Sequence, residues 1–213
     1  AFASPPHAPG PIDVTVQTAA GTRNLVGFSY SGSGPVPVNF ANTHSTGISP
    51  PPSGDWGPDG RLYVTTLNGE LKAVSFDDDW NITAIDTYPG VSQLSTKHSL
   101  GLAFNPYDPP SPVRVYLTHV LLYADGGGVI TGPSPYRGTV SVLTGPDFDD
   151  PQPVVTGLPQ SNSGHMINGL QFDDNGDLLI AMGSTSNAGV QFVTMGDLPE
   201  SPLSAAILKA RTS

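Results

Sequence analysis

One phrase occurs three times in this chain, and no other feature restricts its fold as much. Trp56-Gly57-Pro58-Asp59-Gly60-Arg61-Leu62-Tyr63-Val64 returns as Phe172-Asp173-Asp174-Asn175-Gly176-Asp177-Leu178-Leu179-Ile180. A looser copy with a longer turn runs from Leu102-Ala103-Phe104-Asn105-Pro106 to Arg114-Val115-Tyr116-Leu117. Each copy reads as an aromatic strand end, a polar turn built on Gly or Pro, and an alternating apolar strand. The aromatic anchors Trp56, Phe104 and Phe172 lie 48 and 68 residues apart. A four-stranded propeller blade takes roughly 40 to 50 residues plus its loops. Repetition at this spacing, in a chain almost free of helix-periodic segments, predicts an all-β series of propeller blades. Three blades do not close a ring.

Composition agrees with many short strands joined by tight turns. The 213 residues hold 25 Gly and 23 Pro, and only 12% are charged. Here Gly and Pro punctuate strand-like runs rather than filling a structureless tract. A formal net charge of −10 argues against nucleic acid and against an anionic membrane surface as partners. No apolar run reaches the roughly 18 residues a spanning helix needs. The chain has no cysteine, so disulfides say nothing of its compartment. Two other signs predict a secreted protein. The chain begins at Ala1, as a product of signal-peptide removal does, and Asn81-Ile82-Thr83 is a glycosylation sequon with Asn81 as acceptor.

Along the chain, residues 1–54 form an N-terminal arm with its own strands, and residues 55–213 form the blades. Strict alternation predicts a strand at Ile12–Val16, and Leu25–Tyr30 and Val36–Phe40 are further strand candidates. The first blade is expected at Arg61–Thr66, Glu70–Phe76 and Asn81–Thr87, with Asn68-Gly69 as the hairpin turn. The second is expected at Leu100–Phe104, Val113–Val120, Gly138–Leu143 and Pro153–Thr156. The third, at Ile167–Phe172, Asp177–Met182 and Leu203–Ala210, lacks a fourth strand. Two long insertions, 121–137 and 183–202, follow the second strand of their blades, so both should emerge on one face and frame a site. The acidic segments Asp77–Asp79 and Asp147-Phe148-Asp149-Asp150 read as solvated turns. His7, His44 and His119 are scattered without metal-ligand spacing.

Ser99-Leu100-Gly101-Leu102-Ala103-Phe104-Asn105-Pro106 resembles the "GLLGLAFHP" signature of soluble quinoprotein glucose/sorbosone dehydrogenases and Hedgehog-interacting-protein-like propellers. Gly164-His165-Met166-Ile167-Asn168-Gly169-Leu170-Gln171-Phe172, followed by Gly176–Gly183, is similar to that family's "H-x-x-x-R-[IL]-x-F-x-x-D-G-x-L-Y-x-x-x-G" segment. The resemblance spans residues 55 to about 210. It implies a six-bladed β-propeller to which this chain supplies about three blades, with pyrroloquinoline quinone and calcium bound on the face where the first strands end. It also implies that His165 is the general base taking a proton from a sugar hydroxyl, a task suited to an imidazole near its ordinary pKa. The family's arginine aligns with Gly169. The glutamine before its "GLLG" aligns with Thr96, followed by Lys97 and His98, which join Asn168 as ligand- or cofactor-binding candidates. Asp173, Asn175 and Asp177 cluster oxygen ligands around a Gly turn, as half of a calcium loop would, although the repeat makes this segment a hairpin turn.

Two functions follow. One is an oxidoreductase acting on a sugar or other alcohol with His165 as base. The other is a secreted, non-catalytic propeller that binds a glycan, a small ligand or a protein through its loop face. Either way an open half-ring would expose strand edges and apolar flanks. The expected remedy is a precursor cut near Arg211, with a second polypeptide supplying the remaining blades in a heterodimer. Pairing of two identical half-rings is the alternative.

Overall fold

The computed structural model of the chain describes residues 10–18, 21–30, 47–48, 51–121, 138–161 and 165–211. The chain divides into two compact units, Ala1–Thr43 and His44–Ser213. The first contains strands β1 (Gly10–Thr18) and β2 (Gly21–Tyr30), an antiparallel hairpin whose register runs from Gly10 opposite Tyr30 to Thr18 opposite Gly21. These strands contain the expected Ile12–Val16 and Leu25–Tyr30 segments. The expected strand at Val36–Phe40 lies outside the described residues.

The second unit is all antiparallel sheet, and among its described residues the only helical turn is the 3-10 segment Val193–Met195. Its first sheet is a meander of β3 (Ser53–Trp56), β4 (Leu62–Thr65), β5 (Leu71–Phe76) and β6 (Ile82–Tyr88). The second contains β7 (Leu102–Ala103), β8 (Arg114–His119), β9 (Gly138–Thr144) and β10 (Gln152–Leu158), again in chain order. The third has three strands, β11 (Ile167–Phe172), β12 (Leu178–Met182) and β13 (Ile207–Ala210). Gly69 makes the β4–β5 hairpin with φ of 84° and a backbone bond from its N–H to the Thr66 carbonyl at 2.8 Å, a conformation Gly adopts without a Cβ penalty.

Burial is deepest in the middle strands of the four-stranded sheets, while β3 is mostly exposed. In β8, five successive residues from Val115 to His119 are buried, so that strand is covered on both faces, whereas β6 and β10 are mostly exposed. Each fully buried aliphatic side chain in such a layer contributes roughly 2 kcal/mol. One apolar core joins the first sheet to the second, through Tyr63, Leu71, Leu117 and Phe148. Another joins the second to the third, through Tyr116, Val140, Ile167, Phe172 and Ile180.

The repeated phrase turns out to be a staple between sheets. Phe104 packs edge-on against Tyr63 of the first sheet at 5.2 Å, and Phe172 against Tyr116 of the second at 4.8 Å. The Arg and acidic residues repeat as well. Arg61 Nε is 2.7 Å from Asp59, whose carboxylate also accepts the Tyr63 hydroxyl at 2.9 Å. In the next sheet Arg114 is 3.0 Å from Asp108, which accepts the Tyr116 hydroxyl at 3.1 Å. Both guanidinium groups lie over the ring of their own tyrosine.

Two expectations need correction. Asp147-Phe148-Asp149-Asp150 is not a wholly solvated turn: the aspartates are exposed, but Phe148 is buried between Tyr63 and Tyr88. The strand expected at Leu100–Phe104 shrinks to two residues. The pairs Leu102–Leu117 and His98–Val120 are out of step by one residue, so a β-bulge lies between them. The Thr118 hydroxyl takes the N–H groups of Gly101 and Leu100 at 2.8 and 3.3 Å, which satisfies donors the bulge removes from the ladder. A matching slip separates Ile167 from Leu170 in β11. The two bulges meet, and a Cβ on Gly101 would lie 1.9 Å from the Asn168 carbonyl oxygen.

Candidate functional site

His165 stands two residues before the start of β11, and its position is set from both sides. Its backbone N–H donates to the Ser161 hydroxyl at 3.2 Å, and its carbonyl accepts the Ser161 N–H at 3.1 Å. The imidazole Nδ1 lies 2.7 Å from the Ser184 hydroxyl and 3.2 Å from the Ser186 carbonyl. Ser184 donates its own proton to that same carbonyl at 2.6 Å. Its oxygen is therefore left to accept, as the Ser186 carbonyl must. Both neighbours of Nδ1 then present acceptors to it, which favours the tautomer protonated on Nδ1; in that neutral tautomer Nε2 carries the lone pair. Among the described residues no group hydrogen-bonds Nε2.

A shallow cavity of about 260 Å³ lies beside the half-buried ring, lined by His165, Met166, Asn168, Ala181, Met182 and Gly183. Asn168 belongs to the β11 bulge and is exposed there. The 183–202 loop supplies the partners of the imidazole. The other insertion, 121–137, is described only at Leu121, whose carbonyl accepts the Gln160 amide at 3.1 Å.

The loop holding His165 is itself gripped by Glu200. Its carboxylate accepts the Thr185 N–H at 3.1 Å and the Ser186 N–H at 3.0 Å, on different oxygens. The Ser186 and Ser204 hydroxyls donate to it as well. Burial pushes the Glu200 pKa up, but hydrogen bonds from Ser186, Ser204 and the two backbone N–H groups outweigh it and hold the group at about 2.

The remaining candidates sit elsewhere. Thr96 binds His119, a residue without apparent role in the sequence. The Thr96 hydroxyl and carbonyl each lie 3.0 Å from His119 Nδ1, and His119 Nε2 is 2.8 Å from the Ser141 hydroxyl. Burial disfavours the charged form and lowers the His119 pKa, against the raising effect of the Thr96 carbonyl. His98 is buried, with Nδ1 3.2 Å from the Leu67 carbonyl. Neither Thr96, Lys97 nor His98 lines the His165 cavity.

Asp173 and Asp177 share the ammonium of Lys209, at 2.8 and 2.9 Å. Asp173 Oδ1 also accepts the N–H groups of Asn175 and Asp177, as a hairpin turn requires. Among the described residues no group of three or more His, Cys, Asp or Glu is placed to hold a metal ion. Asn81 is exposed at the entry to β6, held by Asp77, which accepts its N–H at 2.8 Å.

No family model matches the chain, and no curated protein matches it. Among solved structures it is similar to a Thermus thermophilus protein provisionally described as an oxidoreductase (glucose dehydrogenase). The identity is 20% and the TM-score 0.49, over 77% of this chain and 44% of that one. The chain thus spans less than half the length of that protein.

Proposed function

We propose that this chain is part of a secreted β-propeller resembling sugar dehydrogenases, in which His165 accepts a hydrogen bond from a hydroxyl of a bound sugar or other alcohol. The observation that carries the reading is the placing of the ring: Nδ1 lies against the Ser184 hydroxyl and the Ser186 carbonyl while His165 lines the cavity, so in the neutral imidazole Nε2 is the nitrogen left to accept. Such a ring can accept a hydrogen bond from a ligand hydroxyl. Asn168, exposed on the same cavity, offers an amide donor and acceptor for a second hydroxyl.

The described residues do not fit the quinone. A polycarboxylate cofactor needs cations, and the cavity lining contains neither Lys nor Arg. Arg61, Lys72, Arg114 and Lys209 are each paired with a carboxylate in turns and strands that do not line it. Calcium finds no better fit, because the Lys209 ammonium already bridges Asp173 and Asp177, and among the described residues no group of three or more His, Cys, Asp or Glu is placed to hold a metal ion. We therefore derive no oxidation step from these residues, and the binding of a hydroxylated ligand is the function they support. Calorimetric titration with mono- and disaccharides tests it. One sugar should bind, and His165→Ala should weaken it about tenfold, the worth of one good hydrogen bond. Equal affinity in the variant, or no binding by any sugar, would refute the reading.

A second polypeptide completing the ring belongs to the same proposal. Phe104 and Phe172 each rest on a tyrosine of the preceding sheet, whereas Trp56, their counterpart in the first sheet, is 46% exposed. A further blade carrying such a tyrosine would cover it. Native mass spectrometry should show a larger assembly, and an unaccompanied 22.1 kDa monomer would contradict this.

A further inference from the structure

We infer that Glu200 is the positioning residue of the His165 site, acting through the Thr185–Ser186 backbone on the nitrogen that His165 leaves free. The inference deepens the proposed role of His165 and takes its functional meaning from it. The chain of contacts is continuous. Glu200 grips the N–H groups of Thr185 and Ser186 on separate oxygens and accepts the Ser186 hydroxyl. The next peptide is fixed by the Asn187 N–H on the Val190 carbonyl at 3.1 Å. Between these two anchors the Ser186 carbonyl is held at 3.2 Å from His165 Nδ1, and it orients the Ser184 hydroxyl that lies 2.7 Å from the same nitrogen.

The chemistry of the grip requires a carboxylate. Two successive backbone donors meet two different oxygens, and an amide offers only one acceptor atom. Among the described residues the loop has no other anchor of this kind: the Thr185 hydroxyl donates to the Pro199 carbonyl at 2.6 Å, and the 3-10 turn at Val193–Met195 has no side-chain cap. Glu200 touches neither the cavity lining nor the imidazole. Its effect on a ligand would pass entirely through the tautomer and orientation of His165, as outer-shell partners of a histidine do elsewhere.

The test is nitrogen-15 NMR of the His165 ring in ligand-free protein, for the wild type and Glu200→Gln. The wild type should show a single tautomer protonated on Nδ1. Glu200→Gln should show a mixture of both tautomers, with sugar affinity lowered about tenfold. A wild-type tautomer in Glu200→Gln overturns the inference, even if the loop itself is disturbed. If Glu200→Gln fails to give a dispersed spectrum, Glu200→Asp keeps the charge and shortens the reach by one methylene. The same mixture is expected there, and an unchanged tautomer overturns the inference. The tautomer is read without ligand, so the two proposals fail separately. A shift in tautomer without sugar binding sinks only the functional reading. Sugar binding with an unmoved tautomer sinks only the role of Glu200.

Discussion

Gly101→Ala is expected to destabilise the His44–Ser213 unit by about 3 kcal/mol, the upper end of what overpacking costs. The added Cβ would lie 1.9 Å from the Asn168 carbonyl oxygen and 2.9 Å from its carbonyl carbon. Both are backbone atoms, so no side chain can rotate away, and β7 and β11 must separate. That separation would strip apolar contact from the core between the second and third sheets, where Ala103 and Ile167 are buried. Gly169→Ala is the matched control. It lies in the facing bulge, but its Cβ would meet only the Ala181 Cβ at 3.9 Å, an ordinary contact. Urea unfolding should show the large loss for Gly101 alone. A loss below about 1 kcal/mol, the size of an average substitution, would contradict the close approach of the two bulges.

Phe148→Ala should cost a similar amount, about 3 to 4 kcal/mol. Phe148 comes from the β9–β10 connection of the second sheet, yet its ring is 1% exposed and meets Tyr88 at 4.9 Å and Tyr63 at 5.8 Å, both edge-on. Its carbonyl accepts the Gly90 N–H at 3.1 Å, so backbone and side chain together staple two sheets. Each aromatic pair adds about 1 kcal/mol beyond the burial itself. Asp149→Ala, on the exposed neighbour, should stay within about 0.5 kcal/mol of wild type. Equal and small losses for the two variants would show that the ring does not join the sheets.

What the sequence reveals here follows from where its information is local. Most strands of the three sheets were legible because alternation and turn residues recur with the repeat, whereas Ser53–Trp56 was not, lying in a Pro- and Ser-rich stretch that reads as loop. A hairpin formed at Asn68-Gly69, with Gly69 alone in the left-handed region after a Thr66–Gly69 turn. The Arg-x-Tyr pairs at Arg61–Tyr63 and Arg114–Tyr116 were visible in the repeat, but their joint purpose appears only when Asp59 and Asp108 fold back onto them. Phe148 was hidden because three aspartates surround it, and local polarity says nothing of a ring that crosses to another sheet. The bulges at Gly101 and Asn168 were equally hidden, since they arise from the packing of one sheet against the next. His165 could be singled out by motif, whereas Glu200, 35 residues later, meets its loop through backbone N–H groups that no side-chain pattern encodes.

In the proposed function, His165 presents a bare Nε2 to a hydroxylated ligand. Nitrogen-15 NMR of the His165 ring, followed while a binding sugar is titrated in at neutral pH, addresses it most directly. The free protein should show an Nδ1-protonated ring, and the Nε2 resonance should move in step with saturation as it accepts the ligand hydroxyl. A free protein already protonated on Nε2, or an Nε2 resonance unmoved at saturation, would contradict it.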